Sequence, residues 1–322
     1  MRVTVTGGLG YIGACVVEEL IQGGHDVRVL DSLLHAQEDV ASQVTGGGAE
    51  LVRGDVRDAA ACDEAFAGAD AVVHLAAIVG DPACAKDPAL SDDVNVGGSR
   101  NVVARAQESG VRRLIFASTC SNYGRMADPT VPISEDGELA PVSLYAEQKV
   151  RIEQMLLGGG FEALEPTCLR FATVYGVAPR MRFDLTVNEF TRDLWADRPL
   201  EVFGEQFWRP YVHVRDAARG VVLALSSDRD KVGGRVFNVG HSDENYRKLD
   251  LVKLITGQLG RGTVSYVQRS EDPRDYKVSF ERIRSELGFD PEQRVPDGIR
   301  EIISTLEMQG FGDPYSGRLR NS

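Results

Sequence analysis

A tyrosine and a lysine four residues apart are the side chains in this sequence best suited to proton transfer. Tyr145 and Lys149 follow a proline, and Ser143 is placed to cap the start of a helix. Residues four apart share one helix face, so the lysine ammonium is expected near the phenol. That charge would lower the pKa of the phenol from about 10. The phenolate could then take a proton from an alcohol while a hydride leaves the same carbon for a nicotinamide.

Hydroxyl side chains at the end of an apolar run could share in this chemistry. Ser118, Thr119 and Ser121 lie where the strand-like run 114–118 ends. Ligands of α/β proteins bind at the carboxyl ends of parallel strands. Thr119 is the candidate for a hydrogen bond shared with the substrate hydroxyl and the tyrosine, and Ser118 and Ser121 are alternatives.

A glycine-rich turn near the start of the chain predicts a dinucleotide site. Gly7-x-x-Gly10-x-x-Gly13, with Tyr11 and Ile12 inside it, follows one strand-like run and opens a helical one. Glycines allow a tight turn and a close approach to a pyrophosphate, whose charge is then stabilised by the helix N-terminus. The strand before and the helix after give this short motif the context that it needs.

Two acidic residues follow the next strand-like runs. Asp31 ends the second run, where a carboxylate binds ribose hydroxyls and repels a 2′-phosphate, so we expect NAD rather than NADP. A helix cap or turn residue is the alternative for Asp31. Asp55, after the third run, could accept from the adenine amino group. His74 ends the fourth run and is interpreted as a core histidine.

The elements that position these residues alternate between strands and helices, which predicts an α/β fold with a parallel sheet. The predicted strands are 2–6, 26–30, 50–53, 71–75, 114–118, 167–171 and 236–239, and the clearest helices are 12–22, 89–109, 143–157 and 185–195. The regular alternation of predicted strands and helices ends after Gly176. We expect a dinucleotide-binding domain over 1–175 and 211–240, and a smaller substrate lobe over 176–210 and 241–322.

Composition excludes several classes of protein. The chain has 322 residues, of which 43% are hydrophobic and 26% charged, with a net charge of -12. Nucleic acid binding is not expected without a basic face. The five cysteines form no C-x-x-C pair, which argues against a disulfide framework or a metal site and favours a reducing compartment. We expect a cytoplasmic protein with no signal peptide and no membrane helix.

Taken together, these motifs resemble the extended short-chain dehydrogenase/reductase family, the NAD-dependent nucleotide-sugar epimerases and dehydratases. The similarity rests on the glycine motif, Asp31, Asp55, His74-Leu75-Ala76-Ala77, Ser118-Thr119, Tyr145-x-x-x-Lys149 and Arg209-Pro210-Tyr211-Val212-His213-Val214, in this order over nearly the whole chain. The resemblance implies a Rossmann-type doubly wound parallel sheet with a smaller C-terminal substrate-binding lobe.

The resemblance also assigns roles to residues. It implies a catalytic triad of Thr119, Tyr145 and Lys149, with Lys149 also bonded to the nicotinamide ribose. The implied NAD contacts are Gly7, Gly10, Tyr11, Ile12, Gly13, Asp31, Asp55, Val56, Leu75, Ala76, Ala77, Tyr145 and Lys149. It further implies a homodimer formed through the helices at 89–109 and 143–157.

The substrate implied by the resemblance is a nucleotide-diphosphate sugar. Arg209 and Arg274 match positions that contact the diphosphate, and a surface salt bridge is the alternative for each. The segment 180–184 is expected beside the same cleft. The other predicted substrate contacts are Val79, Cys120, Ser121, Thr173 and Asn188.

Two departures from the family pattern bear on the reaction. Sugar 4,6-dehydratases usually carry an Asp-Glu pair after the threonine, and this chain has Cys120 and Ser121 there. Dehydration is therefore disfavoured. Thr173 stands where the family often has the asparagine that contacts the diphosphate. Epimerisation at C4 through a transient keto sugar is the leading hypothesis. The alternatives are a dehydrogenase that releases the keto sugar of a hexose or heptose and a non-catalytic NAD-sensing protein.

Overall fold

The computed structural model describes residues 1–126, 128–267 and 274–321. Its strands are β1 (Arg2–Thr6), β2 (Asp26–Asp31), β3 (Glu50–Arg53), β4 (Ala71–His74), β5 (Arg113–Thr119), β6 (Glu165–Phe171), β7 (Thr173–Tyr175), β8 (Leu200–Val202), β9 (Trp208–His213), β10 (Arg235–Val239), β11 (Asn245–Arg247) and β12 (Val264–Tyr266). Its α-helices are α1 (Tyr11–Gln22), α2 (Glu38–Gly46), α3 (Ala59–Phe66), α4 (Asp81–Lys86), α5 (Pro88–Asp92), α6 (Gly98–Glu108), α7 (Leu144–Leu157), α8 (Thr186–Trp195), α9 (Val214–Ser226), α10 (Arg229–Val232), α11 (Lys248–Leu259), α12 (Glu281–Leu287) and α13 (Val295–Glu307).

A seven-stranded sheet forms the centre of the molecule. Its order is β10-β6-β5-β4-β1-β2-β3, and each neighbouring pair is parallel. Central strands such as β4 are buried along their whole length, as expected when helices cover both faces of a parallel sheet. This topology confirms the predicted doubly wound α/β fold. The strand order reverses between β1 and β4, which is where such sheets bind ligands.

The second half of the chain adds two small sheets beside the carboxyl ends of the main strands. One has the order β11-β9-β7, and the other pairs β12 with β8. The domain bounds at 175 and 211 remain predictions. The structure adds that β9 pairs with both β7 and β11, and that these three strands lie outside the seven-stranded sheet.

The segment predicted as one helix over 89–109 is divided. A π-helical turn over Asp93–Gly97 separates α5 from α6. The turn brings Asn95 into the interior, where its side chain bonds both backbone groups of Ile78: Oδ1 accepts from the amide at 2.8 Å and Nδ2 donates to the carbonyl at 3.0 Å. The hydrogen bonds of Asn95 account for the π-helical turn. The apolar pattern of the sequence did not indicate it, because that pattern continues through the turn.

A buried ion pair holds α7 against the sheet. Glu153, one turn after Lys149, accepts from Arg170 of β6 at 2.7 Å, and both side chains are under 5% exposed. Ser118 and Asn122 donate to the same carboxylate. The position of α7 is thus set by satisfied buried polar groups as well as by apolar packing. In the described part of the chain no helix has the length and apolarity needed to cross a membrane.

Candidate active site

A cleft of about 570 Å³ lies at the carboxyl ends of the main strands, facing the small sheets. It brings together predicted residues from distant parts of the chain. The predicted site residues that line it are Gly7, Gly10, Tyr11, Ile12, Gly13, Asp31, Asp55, Val56, Leu75, Ala76, Ala77, Val79, Thr119, Ser121, Tyr145, Lys149, Thr173, Arg209 and Arg274. Cys120 and Asn188 are not among the lining residues.

The glycine turn has the geometry that its sequence predicts. Gly7 has a φ of +70°, and a Cβ there would lie 2.7 Å from the amide nitrogen of Ala76. A Cβ on Gly13 would lie 2.1 Å from the carbonyl oxygen of Gly7. Helix α1 therefore starts directly against the turn, and the amides of its first turn face the cleft without intrahelical partners. Such an end attracts phosphate.

Asp31 lies at the end of β2 and lines the cleft. Its Oδ2 accepts from the amide of Leu9 at 3.0 Å, and its Oδ1 accepts from the amide of Leu33 at 2.9 Å. Burial raises the pKa of this carboxyl, while the two amides and Arg180 oppose the rise. The amides thus fix the carboxylate across the glycine turn, and the remaining lone pairs can accept ribose hydroxyls.

The carboxylate of Asp55 accepts hydrogen bonds from Arg57, two residues further along the chain. Arg57 donates to its carboxylate through Nη2 at 2.7 Å, through Nε at 3.0 Å and through its backbone amide. The side-chain hydrogen bonds of Arg57 lower the pKa of Asp55. The carboxylate is therefore ionised and fixed in the cleft wall. A hydrogen bond from adenine to it remains a prediction.

His74 belongs to the core, as the sequence indicated. Its Nδ1 lies 2.7 Å from Thr6 Oγ1 and its Nε2 lies 2.9 Å from Ser99 Oγ. Burial lowers the pKa of His74 to about 3, so the ring is neutral. It connects β1, β4 and α6 rather than taking part in proton transfer.

Lys149 lies at the base of the cleft, on α7. Its Nζ donates to the carbonyl of Ala117 at 2.6 Å and lies 4.6 Å from the ring centroid of Phe116. Burial lowers its pKa to about 8. The ammonium is thus directed at the end of β5 and has further donors for a ligand.

The structure corrects the expected effect of Lys149 on Tyr145. The ammonium lies 5.8 Å from the centroid of the phenol ring and is bonded elsewhere. The pKa of Tyr145 is raised above 10, chiefly by burial and then by Cys84, while Arg182 opposes the rise. Desolvation therefore outweighs the lysine, and the phenol is protonated when only protein groups surround it.

Of the three candidate hydroxyls, Ser118 is already bound to protein groups, which leaves Thr119 and Ser121 as the candidates for a ligand. Ser118 is buried and bonds Glu153 and Asn122. Thr119 Oγ1 accepts from the amide of Ser121 at 3.1 Å, and both residues line the cleft. The hydroxyl of Thr119 keeps its proton for donation.

Cys120 and Asn188 require a correction, because both point into the interior. The thiol of Cys120 donates to the carbonyl of Arg170, and burial raises its pKa well above the usual value. Asn188 accepts from the amide of Gly176 and donates to the phenol oxygen of Tyr11 and to the carbonyl of Arg182. Neither is placed to touch a substrate, and Asn188 instead fixes the chain between β7 and α8.

The two predicted diphosphate arginines lie side by side. Arg209 is buried, donates to the carbonyl of Arg274 and lies over the ring of Tyr276, with 5.2 Å from its Cζ to the ring centroid. Arg274 forms an ion pair with Asp81 at 2.9 Å. Asp81 begins α4, so this pair joins the main domain to the substrate side of the cleft.

Sequence reasoning missed Tyr276, which is 1% exposed, and did not identify Asp81 as the partner of Arg274. Both line the cleft. Tyr276 directly follows the Arg274-Asp275 pair, and an aromatic residue at that point was the available signal. In the described residues no cluster of His, Cys, Asp or Glu could hold a metal ion.

The sheet topology, the glycine turn and the Tyr145–Lys149 pair define an NAD-dependent enzyme of the dehydrogenase type. Residues 3–240 match the model of the NAD dependent epimerase/dehydratase family, and the chain belongs to that family. This confirms both the predicted family and the predicted cofactor.

Individual relatives agree over nearly their full length. The chain is 29% identical to UDP-glucose 4-epimerase of Lacticaseibacillus casei over 343 residues, covering 97% of this chain and 99% of that one. A crystal structure of UDP-glucose 4-epimerase with UDP-glucose from Thermotoga maritima has a TM-score of 0.86 at 26% identity, covering 96% and 99% of the two chains. The crystal structure of the Thermus thermophilus UDP-glucose 4-epimerase complex with NAD has a TM-score of 0.82 at 28% identity, covering 95% and 99%.

Proposed function

We propose that this protein interconverts the C4 epimers of a nucleotide-diphosphate sugar through a transient 4-keto sugar. The observation that carries the proposal is the meeting of Thr119, Tyr145 and Lys149 with the glycine turn in one cleft. The names of relatives that are similar over their full length support the same reaction class.

In the proposed mechanism Tyr145 takes the proton from the C4 hydroxyl, and Thr119 donates a hydrogen bond to the reacting oxygen. Bound NAD supplies the hydride acceptor, and its positive charge favours the phenolate that burial alone disfavours. Lys149 binds the nicotinamide ribose with the N–H groups that Ala117 leaves available. Tyr145 would return the proton to the C4 oxygen when the rotated keto sugar is reduced on its opposite face, for which the cofactor would supply the hydride.

The carboxylates of the cleft support epimerisation over dehydration. An elimination needs an acid and a base beside the sugar, and positions 120 and 121 provide neither. In the described part of the cleft wall the carboxylates are Asp31, Asp55, Asp81 and Asp184. The last three are paired with Arg57, Arg274 and Arg182, while Asp31 is held by the glycine turn.

Release of the keto sugar uses the same residues, so an isotope experiment must separate the two reactions. UDP-glucose and UDP-glucuronic acid deuterated at C4 are incubated with the enzyme. An epimerase keeps the deuterium at C4 of the product and forms no net reduced cofactor. Stoichiometric appearance of deuterated NADH with a keto product would instead establish the dehydrogenase.

For the substrate we propose contacts from Val79, Ser121, Thr173, Arg209 and Arg274. Arg209 is buried at the cleft wall, and its guanidinium suits paired phosphate oxygens. The Asp81–Arg274 pair lies beside it, so Arg274 binds phosphate by exchanging or sharing this partner. Replacing Arg209 with Met should raise KM for the nucleotide sugar far more than it changes NAD binding.

We also propose a cytoplasmic homodimer. Five free, buried thiols suit a reducing compartment. The helices α6 and α7 are the expected interface, by the family resemblance. Sedimentation at micromolar concentration tests the dimer, and a single species with the mass of one chain would contradict it.

A further inference from the structure

One buried cation in the cleft has no carboxylate partner in the described residues. Arg180 lies between β7 and α8, is 5% exposed and lines the cleft. Its Nε has no hydrogen-bond partner among the described residues. The guanidinium makes one long hydrogen bond, from Nη2 to the carbonyl of Arg320 at 3.4 Å. A buried charge without compensation is costly, and such a site is suited to an anion from outside.

Neighbouring carboxylates are already bound to other groups. Asp184 accepts two hydrogen bonds from Arg182, at 3.0 and 2.6 Å. Asp31 accepts from two backbone amides. Burial, and then repulsion by Arg182, lower the pKa of Arg180 to about 10. Asp184 and Asp31 attract the Arg180 guanidinium from a distance, but each carboxylate is held by other donors, so Arg180 keeps N–H groups for a ligand.

The surroundings of Arg180 assign the anion to the cofactor. Arg180 acts electrostatically on Asp31 and His35, which lie at and just after the end of β2. That is the side of the cleft where Asp31 receives the ribose and α1 receives the pyrophosphate. Arg209 and Arg274, the proposed contacts of the sugar nucleotide, lie beside each other, and Arg274 is paired with Asp81.

We propose that Arg180 binds the diphosphate of NAD from the substrate-lobe side of the cleft, opposite the glycine turn. Its guanidinium supplies the side-chain cation that the glycine turn lacks, since α1 begins with amides and an uncharged first turn. The segment between β7 and α8 is thereby tied to the bound cofactor. Asn188, which bonds Gly176 and the carbonyl of Arg182, holds that segment in position.

The test is ligand binding by Arg180→Met, measured by calorimetry with ADP-ribose, adenosine, UDP and 2′-phospho-ADP-ribose. Loss of charge-assisted hydrogen bonds should weaken ADP-ribose binding by about tenfold or more. Adenosine and UDP affinities should not change. The unfolding midpoint of the ligand-free protein should stay equal or rise, because a buried unpaired charge is removed. Arg180→Lys keeps the charge and should lose less ADP-ribose affinity than Arg180→Met. It provides the measurement if Arg180→Met does not fold.

Arg192→Met is the matched control. Arg192 is equally buried in the same lobe, but it donates to Asp193 and to the carbonyl of Phe183. Its loss should lower the unfolding midpoint and leave ADP-ribose affinity unchanged.

Three results would overturn the proposal: unchanged ADP-ribose affinity in Arg180→Met, an equal loss for adenosine, or a loss confined to UDP or to the 2′-phosphorylated ligand. The inference rests on the proposed function only for the identity of the cofactor, NAD. Because ADP-ribose binding needs no turnover, its failure is distinguishable from failure of the epimerase proposal.

Discussion

At the scale of single residues, Tyr145 and Lys149 are both shifted away from their charged forms by burial. The phenol has a raised pKa and the ammonium a pKa of about 8. In the proposed mechanism, ligand charge must therefore draw the proton off the phenol, because burial favours its protonated form. This arrangement restrains proton transfer until the cofactor is in place.

Tyr145→Phe removes the proton acceptor and leaves the ring. We expect turnover to fall by roughly 100-fold or more, the usual contribution of a general acid–base group. NAD binding should stay near that of the wild type, since the ring still fills the cleft wall. Turnover and NAD affinity are measured on the same preparation, with exposed Tyr266→Phe as the control. Turnover within twofold of the wild type would contradict the assignment.

The lowered pKa of Lys149 predicts that the free energy of unfolding depends on pH. Its folded pKa of about 8 lies below the value of about 10.4 expected in the unfolded chain. Between these values the unfolded state binds more protons, so the free energy of unfolding rises with pH. Across this pH window, the free energy of unfolding of the wild type should rise by roughly 3 kcal/mol relative to that of Lys149→Met.

Urea unfolding of the ligand-free protein at several pH values measures this difference. Exposed Lys231→Met is the control and should show no such trend. A wild-type minus Lys149→Met difference that is flat with pH would show that the lysine is not desolvated.

At the scale of elements, the π-helical turn connects the loop after β4 to α7. Asn95 bonds both backbone groups of Ile78 and donates to Gln148 Oε1 at 2.8 Å, next to Lys149 in α7. Ser91 donates to the same oxygen at 2.9 Å. One wide turn thus connects the loop that carries Val79 to the helix that carries Tyr145 and Lys149, and such turns are frequent at functional sites.

Asn95→Ala should lower the free energy of unfolding by about 1–3 kcal/mol, because it leaves the partly buried backbone groups of Ile78 without partners. Turnover should also fall, because the loop and α7 lose their connection. Asn245→Ala is a matched control, since Asn245 bonds both backbone groups of Val278 in the same way and does not line the cleft. Asn245→Ala should lower the free energy of unfolding by a similar amount and leave turnover at the wild-type level. Equal turnover losses in the two variants would contradict a positioning role for Asn95.

At the scale of the whole molecule, the cleft joins the main sheet to the substrate lobe, so its ligands contact both. A ligand that binds only the folded protein adds about 2.7 kcal/mol of stability at one hundred times its dissociation constant. We expect the unfolding midpoint to rise steadily with NAD concentration and to rise further with UDP. Calorimetric scans of wild type and Tyr145→Phe should show the same shifts. A midpoint unaffected by saturating NAD would contradict the proposed site.

Sequence reasoning was most successful where a pattern occupies consecutive positions. The glycine turn needs particular backbone freedom at Gly7 and close packing at Gly13, so residue type alone reports the geometry. Tyr145 and Lys149 lie on one helix, and helical spacing predicted their common face. The predicted strands also agree closely with β1–β6, because buried parallel strands are continuous apolar runs.

The direction and surroundings of individual side chains became known only from the folded structure. Cys120 and Ser121 are adjacent in sequence, yet one is buried against Arg170 and the other lines the cleft. Residue spacing alone was enough to predict the fold class and the cofactor, and to single out the glycine turn and the Tyr145–Lys149 pair, because these patterns are short-range. It did not determine the pKa of Tyr145 or the uncompensated charge of Arg180, because burial and partnership depend on residues that only folding brings together.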